Sequence, residues 1–351
     1  MSSTFGKHIR VTVFGGSHEP EIGVVIEGFP AGFTAADIDM EQLRAFLARR
    51  APGSTPYGTA RKEADLPVLK CEDPLTFVIE NKDQRSGDYK GLTNTPRPGH
   101  ADYTAGLRYK DTVNMAGGGP FSGRMTAPLC IAGGIALQIL DKKGIAVSAM
   151  LLEAGGVAST SAAGLPPAAP EDDPMYQRIL AAKADGDSVG GRVRCTVTGM
   201  PAGIGGALYD GLESLISPIV FGIPGVKGVS FGDGFAVCGR TGSENNDVFC
   251  FADGSGTAAD GTPAVKTVTN HAGGILGGIS NGMDIVMDVA FKPTPTIAKE
   301  QQTVDLAARK ETALSVKGRH DPCIAVRAVP VVEAAMALGL LDALLDPTLE
   351  D

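Results

Sequence analysis

A chain of 351 residues, 43% apolar and 20% charged, can bury a large core, and its length allows one or two domains. Its 31 basic against 40 acidic residues, a formal net charge of −9, argue against the basic footprint that nucleic acid requires. No uncharged apolar run reaches membrane-spanning length, the opening MSSTFGKHIR lacks the apolar stretch of a signal peptide, and the six cysteines (71, 130, 195, 238, 250 and 323) show no CxxC spacing. These features lead us to expect a cytoplasmic protein with reduced thiols, no nucleic-acid or membrane partner, and local Arg and Lys clusters for any anionic ligand.

Residues 11 to 33 read as an apolar strand, a Gly-Ser-His loop and a second strand in GVVIEGFPAG. Thr34 with Asp37 three positions on has the pattern of a capping box, which predicts a helix running to Arg49 and Arg50 and stopped by APG. LPVLKCED and PLTFVIEN have strand character. Polar loops carrying DQRSGDY, RPGHADYT and AGGGPFSGR follow, and lead into an apolar helix over residues 126 to 143 that ends at DKKG. GGVASTSAAGLPPAAPEDDP reads as a surface excursion, MYQRILAAKAD as a short helix, RVRCTVTGM as a strand and MDIVMDVAF as a half-buried strand. VPVVEAAMALGLLDALLD is a helix with apolar residues on most faces, packed against the body or a partner subunit. Strands and helices mix without a βαβ rhythm or an internal repeat, which predicts an α+β fold rather than a doubly wound sheet.

The common nucleotide and hydrolase signatures are missing. No GxGxxG follows a strand, no GxxxxGK[ST] or HExxH occurs, and no GxSxG precedes a helix. The five histidines (8, 18, 100, 271 and 320) are too scattered to propose a metal site. Chemistry must come from the loops. In FGGSHEPEIG, glycines 15 and 16 permit a tight turn that presents Ser17 and His18, either as a proton donor to a ligand or as a strand-end cap. In RPGHADYT, Arg97 stands three residues before His100; Arg suits bidentate binding of carboxylate or phosphate, and the pattern fits ligand contact and loop stapling equally. ARRAPGSTPYGTARKE gathers Arg49, Arg50, Arg61 and Lys62, as a phosphate site or a solvated helix end would. VKGRHDPC joins Lys317, Arg319, His320 and Asp321, a set that fits a buried network as well as acid–base work. The glycine-dense NHAGGILGGISNG and the adjoining FKPTPT, with Lys292, Thr294 and Thr296, fit a phosphate cradle or tight packing.

Taken together, FGGSH, DQRSGDY, RPGHADYT, AGGILGGISNGMDI, FKPTPTI and KGRHDPCIAVRAVPVVEA resemble, in this order and over nearly the whole chain, the motif series of the chorismate synthase family. The resemblance implies one domain over residues 1–351, an α+β sandwich with helices layered between antiparallel β-sheets, and a homotetramer. It implies a lyase that converts 5-enolpyruvylshikimate 3-phosphate to chorismate and phosphate by trans-1,4 elimination, with reduced FMN and no net redox change.

Carried over by residue, His18 would protonate the departing phosphate, His100 would protonate reduced flavin or stabilise its anion, and Asp321 would take a proton at flavin N5. Ser17, Arg49 and Arg97 would bind substrate. Gly277, Lys292, Pro293, Thr294, Pro295, Thr296 and Arg319 match flavin contacts, and Arg50 matches a position for NADP, with NADPH a reductant for the flavin. Three departures stand out. The carboxylate expected before Ser17 is at Glu19 instead, GGGPFSGRMT has Pro120 and Phe121 where an Arg and a Ser usually touch flavin, and Pro56 replaces a basic residue of the nucleotide loop. Ser122 and Arg124 then stand as the remaining flavin contacts of that stretch.

Overall fold

The computed structural model describes residues 2–53, 55, 57–59, 63–82, 94–160, 172–252, 265–316 and 320–349. DQRSGDY, Pro56, Arg61, Lys62, Lys317 and Arg319 therefore lie outside the described residues.

In chain order the first half contains β1 (Ser2–Phe5), β2 (Arg10–Gly15), β3 (Glu21–Glu27), α1 (Met40–Arg50), β4 (Val68–Glu72), β5 (Leu75–Glu80), α2 (Asp102–Tyr109), α3 (Thr126–Asp141), β6 (Ala146–Ala154) and β7 (Val157–Ala158). The second half adds α4 (Pro174–Ala184), β8 (Gly191–Thr198), α5 (Leu212–Phe221), β9 (Val226–Phe231), the short α6 (Gly242–Asn245), β10 (Phe249–Phe251), β11 (Val265–Thr267), β12 (Ile275–Leu276), β13 (Ile279–Ser280), β14 (Ile285–Phe291), β15 (Gln301–Asp305), β16 (Lys310–Leu314) and α7 (Ala325–Leu344). Two five-stranded antiparallel sheets, ordered β1-β2-β3-β5-β4 and β7-β6-β8-β14-β9, form the outer layers. Between them α3 packs on the first sheet, α7 on the second, and the two helices on each other, flanked by α1 and α5. This is the layered α+β arrangement expected.

The layer is thin because small residues let the helices touch. A Cβ on Gly133 of α3 would sit 2.2 Å from Cβ of Ala334 on α7, and one on Gly339 would sit 3.0 Å from Ile216 on α5. The helical stretch Gly123–Asp141, which ends in α3 and includes Arg124, is long and apolar enough to cross a membrane by length and composition, but it is mostly buried within the fold. A buried carboxylate joins the first sheet to α7: Asp342 Oδ1 accepts from the backbone N–H groups of Lys7, His8 and Ile9 at 3.0, 2.7 and 2.9 Å.

Local rules placed β2, β3, β4, β5, β8, β14, α1, α3, α4 and α7, with instructive exceptions. Thr34 and Asp37 do form a capping box, but it closes only a 3-10 turn, Ala35–Asp37. Ile38 is extended, and α1 starts anew at Met40, where the Asp39 carboxylate accepts from Glu41 N and Gln42 N. RPGHADYT is half helix, since α2 begins at Asp102. The strand in MDIVMDVAF, β14, is mostly buried rather than half-buried because it lies inside the second sheet, between β8 and β9. α5, which carries Pro218, had no anticipating signal.

Candidate active site

A cavity of about 480 Å³ opens where several of the singled-out loops converge, within the ~300–1,000 Å³ typical of cofactor and substrate sites. Its wall is built from the end of α1, the 117–124 turns, the 97–101 loop, the 292–296 segment after β14, the loop after α5, and the start of α7 with His320 and Asp321.

The two candidate histidines reach this place from different loops. FGGSH is the β2–β3 connection, in which Gly15 takes φ of +97° and Ser17 N donates to Gly119 O at 3.2 Å. Glycines 117, 118 and 119 all have positive φ; a Cβ on Gly117 would fall 2.2 Å from His18 Nδ1, and one on Gly118 would fall 3.1 Å from His100 Nε2. Successive glycines thus leave room for one imidazole each. The relocated carboxylate has a spatial explanation, because Glu19 folds back until Oε1 lies 3.2 Å from where a Cβ on Gly16 would be. Ser17 is buried behind the glycine turns and is not part of the cavity wall.

Around His100, Arg97 does bind a carboxylate bidentately, but it is that of Asp102: Nε to Oδ2 is 2.7 Å and Nη2 to Oδ1 is 2.8 Å. Arg97 Nη1 also donates to Thr296 Oγ1 at 3.2 Å. Burial alone would raise the Asp102 pKa; hydrogen bonds from Arg97 and His100 reverse this and hold the carboxyl well below the usual carboxylate range.

The opposite wall carries a second charged network. Asp321 Oδ1 accepts from Thr59 N at 2.8 Å and Oδ2 from Arg327 Nη1 at 2.8 Å, while Arg327 Nε donates to Arg50 O at 3.0 Å. Arg50 is fully buried and bonded at every nitrogen, to Thr126 Oγ1 at 3.0 Å, to Gly123 O at 2.9 Å and to Asp65. Asp65 also takes Arg124, whose Nε donates to Asn81 Oδ1 at 3.0 Å and whose Nη2 lies 3.3 Å from Glu63. Burial opposes ionisation of Asp65, and the two guanidiniums overcome it, so its pKa lies below the ordinary value. Asn81 meanwhile donates to Gly16 O and Glu19 O at 3.2 and 2.8 Å, tying the His18 loop to Arg124.

Each guanidinium in the wall is therefore backed by a carboxylate, and among the described residues Lys292 is not. Its ammonium donates to Gly99 O, and its pKa is lowered by burial and then by Lys227, so an anion beside it would be stabilising. Thr294 Oγ1, in the same segment, is buried with no hydrogen-bond partner among the described residues. Together with Pro293, Pro295 and Thr296 in the wall, these groups fit an anionic cofactor or substrate group. Ser122, Pro120 and Phe121 also line the cavity, with Ser122 Oγ accepting from Arg124 N at 3.3 Å. The phenyl ring of Phe121 packs 5.9 Å from Tyr109.

Comparison with known proteins decides which chemistry this geometry serves. The family model described as chorismate synthase matches residues 9–345. The chain belongs to the chorismate synthase family. Proteins named chorismate synthase from Lancefieldella parvula, Korarchaeum cryptofilum and Chitinophaga pinensis are 42%, 39% and 43% identical to it, over 98%, 96% and 98% of this chain and 96% of each relative. The fold matches a solved structure titled "Crystal Structure of Chorismate Synthase" with a TM-score of 0.68, at 22% identity, over 97% of this chain and 93% of that one. The chain is accordingly a lyase of the shikimate pathway and acts as a chorismate synthase, a family that uses reduced flavin.

Against the residue assignments that chorismate synthase membership suggested, the structure brings His100, Asp321, Arg50, Arg97, Ser122, Arg124 and Lys292 to Thr296 into one wall, with His18 just behind Gly117. It leaves Ser17, Arg49 and Gly277 out of the wall. Arg49 points to α7, pairing with Glu333 at 2.7 and 2.9 Å, because it stands in the last turn of α1 one position before the buried Arg50 and so leaves the helix on another side. Gly277 sits with φ of +63° in the β12–β13 turn and is not in the wall of this chain's cavity. Arg319 lies outside the described residues. Sequence reasoning passed over Asp65, Glu63, Asn81, Asp102 and Arg327. Asp102 and Arg327 stood inside quoted motifs, Arg327 six positions after its partner Asp321, whereas Asp65 in RKEADLPV carried no signal.

Proposed function

We propose that this cavity binds reduced FMN together with 5-enolpyruvylshikimate 3-phosphate, and that His18, His100 and Asp321 carry the trans-1,4 elimination that yields chorismate and phosphate. The observation that carries the reading is the convergence of two histidines on adjacent glycines with a paired aspartate and an uncompensated lysine around one cavity. Lys292 and Thr294 would hold an anionic group of the cofactor or substrate, and the ring of Phe121 would lie against the bound molecules. His18 is the acid for the departing phosphate, whose charge grows as the C–O bond breaks. The chemistry that reduced FMN would supply there is electron density for the allylic system of the substrate. Asp321, oriented through both oxygens by Thr59 N and Arg327, would serve as the base that receives the proton the substrate loses at C6. His100, in the cavity wall, would donate a proton or balance negative charge where the flavin is held.

Arg50, buried and bonded at every nitrogen, supports the wall; NADPH, if it reduces the flavin, binds through other groups. We further propose one functional domain over residues 1–351, a cytoplasmic location consistent with six free thiols, and a homotetramer. Association is supported by large apolar side chains left in solvent, among them Leu208, Tyr209, Phe235, Phe249 and Phe251.

The test is an anaerobic assay with 5-enolpyruvylshikimate 3-phosphate and dithionite-reduced FMN, repeated with NADPH and oxidised FMN. Equal yields of chorismate and phosphate without net flavin oxidation are expected. Flavin binding with neither product would refute the assignment of this cavity. Chorismate formation in the NADPH arm would show that the protein reduces its own flavin.

A further inference from the structure

We infer that Asp102 is the positioning residue of His100: it holds Nδ1 in the protonated form and leaves Nε2 as the nitrogen that exchanges protons with the cavity. The inference rests on the functional reading above, which makes His100 a working acid, and names a residue through which that acid is set.

The geometry offers Nδ1 two partners of opposite kind. Asp102 Oδ1 lies 2.7 Å away and Arg97 Nη2 lies 3.1 Å away. A ring nitrogen can donate to the first or accept from the second, not both. The shorter contact has the length of a charge-assisted N–H···O bond, and the nearby guanidinium already has Asp102 Oδ1 as acceptor at 2.8 Å, so the ring donates to Asp102. Nε2 is then the free edge, and it is the edge that faces Gly118, 3.1 Å from where a Cβ would be. All three side chains are largely buried, with side-chain exposures of 5% for Arg97, 13% for His100 and 11% for Asp102.

Arg97 has the complementary part. Its Nε and Nη2 donate to Asp102 Oδ2 and Oδ1 at 2.7 and 2.8 Å, which fixes the carboxylate against the ring. Other charged and titratable groups face the ring's surroundings: Lys292 reaches the neighbouring Gly99 carbonyl, His18 lies across Gly117, and His320 with the Asp321–Arg327 pair stands elsewhere in the cavity wall. Of these, Asp102 is the anion in direct contact with the imidazole.

The deciding measurement is the ¹⁵N spectrum of the His100 ring in the full-length protein across pH, made on wild type and on Asp102→Asn. In wild type, Nδ1 should stay protonated throughout while Nε2 titrates; an Nε2–H tautomer with Nδ1 accepting from Arg97 would overturn the inference. In Asp102→Asn the preference for a protonated Nδ1 should be lost and Nε2–H should appear, since the carboxylate that accepts from Nδ1 has been removed. Turnover gives the second readout. Asp102→Asn should lower kcat by roughly 10- to 100-fold, with KM changed much less, and the pH limb should follow the spectral midpoint. Asp102→Glu should recover part of the loss. If Asp102 acts through His100, adding Asp102→Asn to His100→Ala costs nothing further; multiplying losses would show an independent structural role and sink the proposal. Should wild type make no chorismate, the catalytic reading fails, and the wild-type spectrum still decides the tautomer.

Discussion

The α3–α7 layer and the cavity wall bury their residues by opposite means. In the layer, burial follows from shape: Gly133 meets Ala334 and Gly339 meets Ile216 because helix backbones approach closely, and polar groups are few. In the wall, burial follows from charge pairing, as Arg50 with Asp65, Arg97 with Asp102 and Arg327 with Asp321 stay out of water only because each guanidinium faces a carboxylate. The layer should therefore tolerate pH and fail on added volume, and the wall should tolerate small changes of volume and fail on added or removed charge.

The largest expected effect is on catalysis in the wall. His100→Ala should fold and bind FMN yet lose about 10²- to 10⁴-fold in kcat, the usual contribution of a positioned acid; a folded variant with wild-type turnover would remove His100 from the mechanism. Next comes the layer. Gly133→Val would drive methyl groups into the Ala334 backbone, where overpacking costs about 1–3 kcal/mol or more, so the melting temperature should drop by several degrees or the protein should fail to fold. A soluble Gly133→Val of unchanged melting temperature would contradict the packing account.

Acid should then separate the two regions. Asp65 and Asp102 have pKa values depressed in the folded state, so the stability they contribute is complete above their unfolded values near ~4 and is lost as pH falls through and below that range. Thermal unfolding followed from pH 7 to pH 3 should show this loss, and Asp102→Asn should flatten it; an equally steep acid limb in the variant would mean that Asp102 is not among its causes. Lys292→Ala should weaken FMN or substrate binding by roughly tenfold with little change in fold, as expected for removing one charge-assisted contact worth about 1.5–3 kcal/mol. The smallest effect belongs to Arg49→Ala. With its partner Glu333 still accepting from Ala149 N at 2.9 Å, stability should fall by about 1 kcal/mol and kcat/KM should stay within about twofold. A large loss of activity would return Arg49 to substrate binding.

Much of this was legible along the chain. Period and capping located the strands of LPVLKCED and PLTFVIEN, the apolar α3 and α7, and the absence of a βαβ rhythm, because those signals act over a few neighbouring residues. The loop histidines and the KPTPT segment were legible as chemistry because their residue types are uncommon in plain turns. What stayed hidden needed the third dimension. Thr34 and Asp37 satisfied a local rule, but Ile38 broke the helix and Asp39 capped the real one. Arg49 and Arg50 are indistinguishable neighbours in ARRAPG, yet the step of about 100° between them around α1 sends the first to Glu333 and the second into the wall beside Asp65.

By itself, then, the sequence determined the class of fold, the membership of a family and the residue types available for proton transfer, all of which depend on short-range pattern and on motifs held in order. Only the tertiary structure decided which acids neutralise which guanidiniums, since Asp65 meets Arg124 across 59 positions and Glu333 meets Arg49 across 284. Charges in water act weakly at such separations along a chain, and it is burial, by removing the solvent that screens them, that makes each pairing compulsory.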